Sequence, residues 1–359
     1  MSKYLVPVER PQPDAQEFLR IVKGEQVPRR VPLIEYIVDE TLLRPIVTDM
    51  LGREWSTEPS AYWDNVIQFW YRMGYDMVHV ELGLPFDRRL LSTADTSPGV
   101  ARDRAWADEH HGAIASWEDF ERYPWPRVEA FDFGSLEYLA THLPEGMGFI
   151  TAHGGGPFEW LSWIMSYEGL ALTLHDDLAL VRAVAERIGG LMEQFYRHLL
   201  ELPNVIALWP GDDMGFRTGT LISPDHLREL TLPWHRRFAA MAHQRGVLYF
   251  LHSCGDLGEI MEDLVRDVGI DAKHSFEDAI LPVTAAYARY ADRIALLGGV
   301  DVDMLARADE GRLRAYVRGI LEQCAPGGRF ALGSGNSIPS YIPLDSYLVM
   351  LDEGLRWAG

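Results

Sequence analysis

Cysteine is scarce in this sequence: Cys254 and Cys324 are the only two in 359 residues. Two distant thiols make no disulfide framework, which excludes the small secreted scaffolds and suits a reducing compartment. No run approaches the roughly 18 consecutive apolar residues that a membrane-spanning helix needs. The opening residues, MSKYLVPVERPQPD, lack a basic stretch followed by an apolar core. No secretory signal is therefore expected, and the chain reads as soluble and cytoplasmic. Positive charge is short as well. Against 53 acidic residues stand 33 Lys and Arg, a formal net charge of −20. Such a surface repels phosphate backbones and anionic lipid, so neither nucleic acid nor membrane is an expected partner. Repeats, low-complexity tracts and dividing linkers are also lacking, so the chain reads as one large unit behind a short extension.

What the sequence does have is apolar material, 47% of its residues, in a repeating order. Short runs ending in polar or Gly-rich turns predict strands over Arg30–Tyr36, Met77–Glu81, Gly148–Ala152, Val205–Trp209, Val247–His252, Ala272–Ser275, Ile294–Gly298 and Phe330–Gly333. Helical stretches separate most of them. Leu178, Val181, Ala185, Ile188, Met192, Phe195 and Leu199 follow steps of three and four, one apolar stripe. Ser223-Pro224-Asp225 is a helix start, with an N-cap, Pro at the first position and an acid in the first turn. A short helix is expected around Ala15–Lys23. Eight alternating units predict an α/β fold, a (β/α)₈ TIM barrel over residues 30–359, with residues 1–29 as an N-terminal extension.

In such a barrel the chemistry gathers just after the strands. Polar clusters stand there: His79-Val80-Glu81, His153 before three glycines, Gly211-Asp212-Asp213, His252-Ser253-Cys254-Gly255-Asp256, His274 through Glu277, and Gly333-Ser334-Gly335-Asn336. The sharpest is LYFLHSCGD, residues 248–256. Residues two apart on a strand share a face, so His252 and Cys254 project together. Imidazole nitrogen and thiolate sulfur are a pair that suits zinc. His153 is a candidate substrate donor, with the glycines allowing close backbone approach. Of Asp212 and Asp213, one is expected to face inward and the other to cap the next segment. His79, one residue before the mouth, is expected to point toward the helices. Trp160, Trp163, Trp209 and Trp234 are expected mostly in the core.

The run HSCGD, followed by GIDAKHSFED, ALLGGVDVDMLARAD and FALGSGNSIPSYIPLDSYLVMLDEG, resembles the uroporphyrinogen decarboxylase superfamily. Upstream, GDDMGFRTGTLISPDHLREL and GGGPFEWLSWIMSYEGLALTLHDDLALV extend the likeness to about residues 30–356. The resemblance implies the (β/α)₈ barrel and one of two activities: cofactor-free decarboxylation, or zinc-dependent methyl transfer with thiols or corrinoid proteins. True decarboxylases carry an arginine-rich N-terminal segment that grips carboxylates and an aspartate after an early strand. Here the segment reads PRRVPLIEYIVDE, with Arg29 and Arg30 ahead of the strand, and the early strand ends in Glu81. His252 and Cys254 match the first two zinc ligands of the methyltransferase branch. That branch is the expectation.

One departure is plain. In the coenzyme M methyltransferases the third ligand is a cysteine in a Gly-Cys setting near the last strand, where this chain has Gly335-Asn336. Cys324 stands too early in the chain and reads as structural. Glu81 is the first candidate for the missing ligand, since a carboxylate at a neighbouring strand end can complete a His/Cys/Glu site. Asp213, Glu277 and Asn336 are, with His153, the substrate-facing candidates. His252 and Asp213 are the candidate catalytic pair, also under the decarboxylase alternative, in which Asp213 or Glu81 stabilises a cationic intermediate and His252 acts as acid. A third alternative is a non-catalytic, ligand-binding barrel. No corrinoid-binding motif of the type Asp-x-His-x-x-Gly is appended, so the resemblance implies a corrinoid carried by a partner protein docking at the mouth, with a small-molecule methyl donor or acceptor.

Overall fold

The computed structural model describes residues 3–94 and 103–357. Its centre is one parallel sheet of seven strands: β1 Met77–Leu82, β2 Gly148–His153, β3 Val205–Leu208, β4 Leu248–His252, β5 Ala272–His274, β6 Ala295–Leu297 and β7 Phe330–Ala331. They lie side by side in sequence order. Parallel neighbours require crossover connections, and helices provide them. The longest, Leu178–Leu199, joins β2 to β3 and buries Val181, Ala185, Ile188, Met192, Phe195 and Leu199, the stripe read from the sequence. Ser223 caps the helix Pro224–Leu230, its hydroxyl accepting from the His226 N–H. Seven of the eight expected strands are therefore present, with ends shifted by a residue or two.

The eighth position departs from expectation. Residues 30–36 form no strand; a single parallel bridge joins Leu33 to Leu332. The Ile34 N–H donates to the Leu332 carbonyl and the Leu332 N–H to the Pro32 carbonyl, both at 2.8 Å. Pro32 has no N–H to give, which limits any longer ladder here. Toward β1 no ladder forms among the described residues. Side chains cross that seam instead: His79 Nδ1 lies 2.6 Å from the Tyr36 carbonyl, and the Tyr36 hydroxyl donates to Glu81 Oε1 at 2.8 Å. The architecture is thus α/β with a seven-stranded parallel sheet, and the expected closed eight-stranded ladder is not formed.

Two small antiparallel pairs stand on the loops after β1 and β3, Leu90–Ala94 with Asp103–Ala107 and Gly215–Phe216 with Gly219–Thr220. Beneath the sheet, the helix Ala15–Val22 buries Phe18, whose ring meets Phe250 edge-on at 6.3 Å. Phe250 precedes His252 by two residues and shares its face. The N-terminal helix therefore helps to form the floor under the polar residues above.

Candidate metal centre

β4 delivers His252 at its last position, and the chain turns at once through Gly255, whose φ is +81°. The segment after β3 continues alongside. Asp212 N–H donates to the His252 carbonyl at 2.9 Å and His252 N–H to the Pro210 carbonyl at 3.0 Å. This pairing carries Asp213 to the turn, where its Oδ1 accepts from the Cys254 N–H at 2.8 Å. One ligand atom each from Asp213, His252 and Cys254 then lies within 4.8 Å of the others. His252 Nε2 is 3.5 Å from Cys254 Sγ and 3.6 Å from Asp213 Oδ1.

Those separations test the donor set. Zinc bonds of about 2.0–2.1 Å to nitrogen or oxygen and about 2.3 Å to sulfur, at tetrahedral angles, put N and S about 3.5 Å apart and N and O about 3.3 Å apart. The two edges at His252 Nε2 agree within a few tenths of an ångström, and the Cys254 and Asp213 ligand atoms lie within 4.8 Å of each other. One nitrogen, one sulfur and one carboxylate suit zinc chemically, and three protein ligands leave a fourth position for a reacting atom. The residues fit the metal.

The surroundings hold these groups tightly. Tyr36 stacks on His252 with ring centroids 4.0 Å apart and planes within 10°. Asn336 Nδ2 donates to Cys254 Sγ at 3.1 Å, and Ser275 Oγ lies 3.7 Å from the same sulfur. Burial first, with Lys273 and His79 adding, pushes the His252 imidazolium down to about 3, so the ring is neutral. Burial and the neighbouring Asp213 push the Cys254 thiol far up. A bound dication reverses that balance, since a coordinating thiol is deprotonated outright.

Glu81 lies outside the three-atom group. Its carboxyl accepts from the Tyr36 hydroxyl, and burial raises it to about 8. His79 departs from expectation, because strand alternation puts residues 79 and 81 on one side. It is buried, its ring 5.2 Å from Tyr36 and 4.7 Å from Trp209. His153 stands apart too. Its Nε2 accepts from the Leu84 N–H at 2.9 Å and its Nδ1 is 3.1 Å from the Gly155 carbonyl, so both ring nitrogens are occupied. Glu277 is exposed, on the lip of a cavity of about 180 Å³ that Lys273 and Ser275 also line. Glu277 and Asn336 together border an adjoining groove of about 960 Å³. Cys324 is buried at the end of the helix Glu310–Cys324.

The two adjacent aspartates take different roles, but the expected cap on the next segment is corrected: Asp212 caps an earlier helix. The fully buried Asp212 accepts from the Phe158 and Glu159 N–H groups, at 3.1 and 2.8 Å, at the start of the helix Pro157–Met165. Gly156 is what lets it do so, since a Cβ there would stand 2.3 Å from the Asp212 side chain. Residues given no individual role from the sequence also enclose the site. Burial, and then the charges of Asp213 and Asp212, push the Glu159 carboxyl well above the usual carboxylate range. Lys273 donates to the Ser275 carbonyl at 2.6 Å, and burial brings it down to about 8. His274 pairs in register with His252 across β4 and β5. Its position at the end of the AKHSFED strand, level with FLHSC, was the available signal.

These features define an α/β protein with a His/Cys/Asp centre at the carboxyl ends of parallel strands. The sequence matches the family described as uroporphyrinogen decarboxylase (URO-D) over residues 14–354, and the chain belongs to that family. Among solved structures, a methyltransferase from Methanosarcina mazei superposes with a TM-score of 0.68 at 15% identity, covering 96% of this chain and 98% of that one. A B12-independent methionine synthase from Shewanella sp. W3-18-1 gives 0.51 at 10% identity, covering 83% and 87%. At these identities the likeness is one of fold. A search of curated proteins finds no match.

Proposed function

We propose that this chain is a zinc-dependent methyltransferase on a (β/α)₈-type scaffold, moving a methyl group between a small substrate and a corrinoid protein or thiol. The observation that carries the reading is the grouping of His252, Cys254 and Asp213 within 4.8 Å, with the two edges at His252 Nε2, 3.5 and 3.6 Å, close to those of tetrahedral zinc. The fold shared with a protein titled a methyltransferase agrees with it. Zinc bound there supplies Lewis acidity, lowering a thiol's pKa or polarising a methyl-bearing heteroatom. Cys254 and Asp213 hold the metal's charge, and Tyr36 fixes the His252 ring. Glu81, raised by burial to about 8, and Glu159, also pushed up by burial, are the groups able to give or take a proton at the mouth. The corrinoid comes from a partner protein. Zinc-dependent loss of the methyl–cobalt absorbance of methylcobalamin, in the presence of a thiol panel, is the result that supports the reading.

Two expected outcomes follow at the site. Asp213→Asn should weaken zinc binding by at least the roughly 10–100-fold that loss of even an outer partner costs, whereas Glu81→Gln should leave it within a few-fold. Competition titration against a chromophoric chelator measures both, and the reverse order would make Glu81 the ligand. The second concerns decarboxylation. Arg30 is engaged by Asp76 just before β1, away from the carboxyl ends where the site lies. Without a carboxylate clamp, purified protein should not convert uroporphyrinogen to coproporphyrinogen by chromatographic assay. Clear turnover would overturn the methyltransferase reading in favour of the decarboxylase.

A further inference from the structure

We infer that His274, which is not a ligand, sets the tautomer of His252 so that the Nε2 lone pair faces the metal. The inference rests on the zinc reading above. It begins at the Ser334 carbonyl, which lies 3.0 Å from His274 Nε2. A carbonyl only accepts, so His274 Nε2 carries the proton and, in the neutral ring, His274 Nδ1 is bare. That bare nitrogen is 2.8 Å from His252 Nδ1. Two bare nitrogens cannot bond, so His252 Nδ1 carries the proton and its Nε2 is left bare. Nε2 is the atom 3.5 Å from Cys254 Sγ and 3.6 Å from Asp213 Oδ1.

The relay is anchored at its far end. Glu35, fully buried, accepts from the Ser334 N–H at 3.0 Å and from the Ser334 hydroxyl at 2.5 Å, which fixes the peptide whose carbonyl holds His274. Gly298, with φ +79°, makes room: a Cβ there would stand 2.1 Å from the Ser334 oxygen and 2.7 Å from His274 Nε2. Glu35, Ser334, His274 and His252 thus form one directed chain from the 30–36 segment, through the turn after β7, to the metal side of β4. Outer partners of this kind fix the orientation and tautomer of a metal-bound histidine, and losing one costs roughly 10–100-fold in affinity.

The test has two readouts. In metal-free wild-type protein labelled with ¹⁵N-histidine, long-range ¹H–¹⁵N correlation should show His252 protonated at Nδ1 and bare at Nε2. Protonation at Nε2 overturns the inference, whether or not the protein binds zinc. In zinc titrations, His274→Phe should lose about 10–100-fold in affinity, while His274→Asn, whose Oδ1 can accept from His252 Nδ1–H, should stay within a few-fold of wild type. Equal affinity for wild type and a folded His274→Phe overturns the inference and leaves the zinc reading standing. If His274→Phe does not fold, the wild-type tautomer decides alone. Failure of wild-type protein to bind zinc overturns the function instead, and the tautomer measurement still decides the role of His274.

Discussion

Cys254→Ser should strip the protein of most of its zinc, with affinity falling by more than the roughly 10–100-fold associated with an outer partner. The thiolate is the soft, charged member of the donor set, and a hydroxyl neither ionises near neutral pH nor matches zinc as well. Cys324→Ser is the control. That thiol is buried at a helix end and takes no part in the cluster, so its variant should keep wild-type zinc content even if it is less stable. Elemental analysis of chelator-free preparations reads both variants. Equal loss from both would mean that the effect is general damage rather than coordination.

The second large effect is on stability. Asp212→Ala should destabilise the fold by about 3–5 kcal/mol, the usual result of removing one member of a buried, hydrogen-bonded pair. Asp212 is fully buried and accepts from two backbone N–H groups and from His235 Nε2, the last at 2.7 Å. His235 in turn reaches the Tyr249 hydroxyl at 2.7 Å. Alanine leaves the start of the helix Pro157–Met165 uncapped and a buried imidazole without its acceptor, each a cost in its own right. Denaturant midpoints should fall accordingly, whereas Asp213→Asn, at the partly open mouth, should move them by about 1 kcal/mol or less. A shift below that for Asp212→Ala would contradict its structural role.

Much of this was legible along the chain. The strands were readable because each is a short apolar run closed by a polar or glycine-rich turn, as in LYFLHSCGD and AKHSFED. The helix Leu178–Leu199 announced itself by its stripe. The pairing of His252 with Cys254 followed from strand periodicity, and the family resemblance placed both at the carboxyl end. The third member of the cluster was harder to read. Asp213 reaches the site only because residues 210–212 pair with the end of β4, a contact that no local pattern encodes. Sequence alone puts Glu81 ahead of Asp213 as the strand-end acid, but the Tyr36 hydroxyl occupies Glu81 and it is Asp213 that groups with His252 and Cys254. His79 stands one strand repeat from Glu81 and so shares its side of β1, against the expectation that it faces the helices. His153, the candidate substrate donor, is occupied by the Leu84 N–H, a contact from the loop after β1 that no local pattern encodes. The opening segment 30–36 misled because a Pro-bearing apolar run resembles a strand even where it makes a single bridge.

The most direct test of the zinc centre is X-ray absorption at the zinc K-edge of wild-type protein purified without chelator. About one zinc per chain is expected, with one sulfur near 2.3 Å and the remaining nitrogen or oxygen ligands near 2.0–2.1 Å. The single sulfur should disappear in whatever zinc Cys254→Ser retains. An absence of zinc, or a first shell without sulfur in the wild-type protein, would contradict the centre built from His252, Cys254 and Asp213.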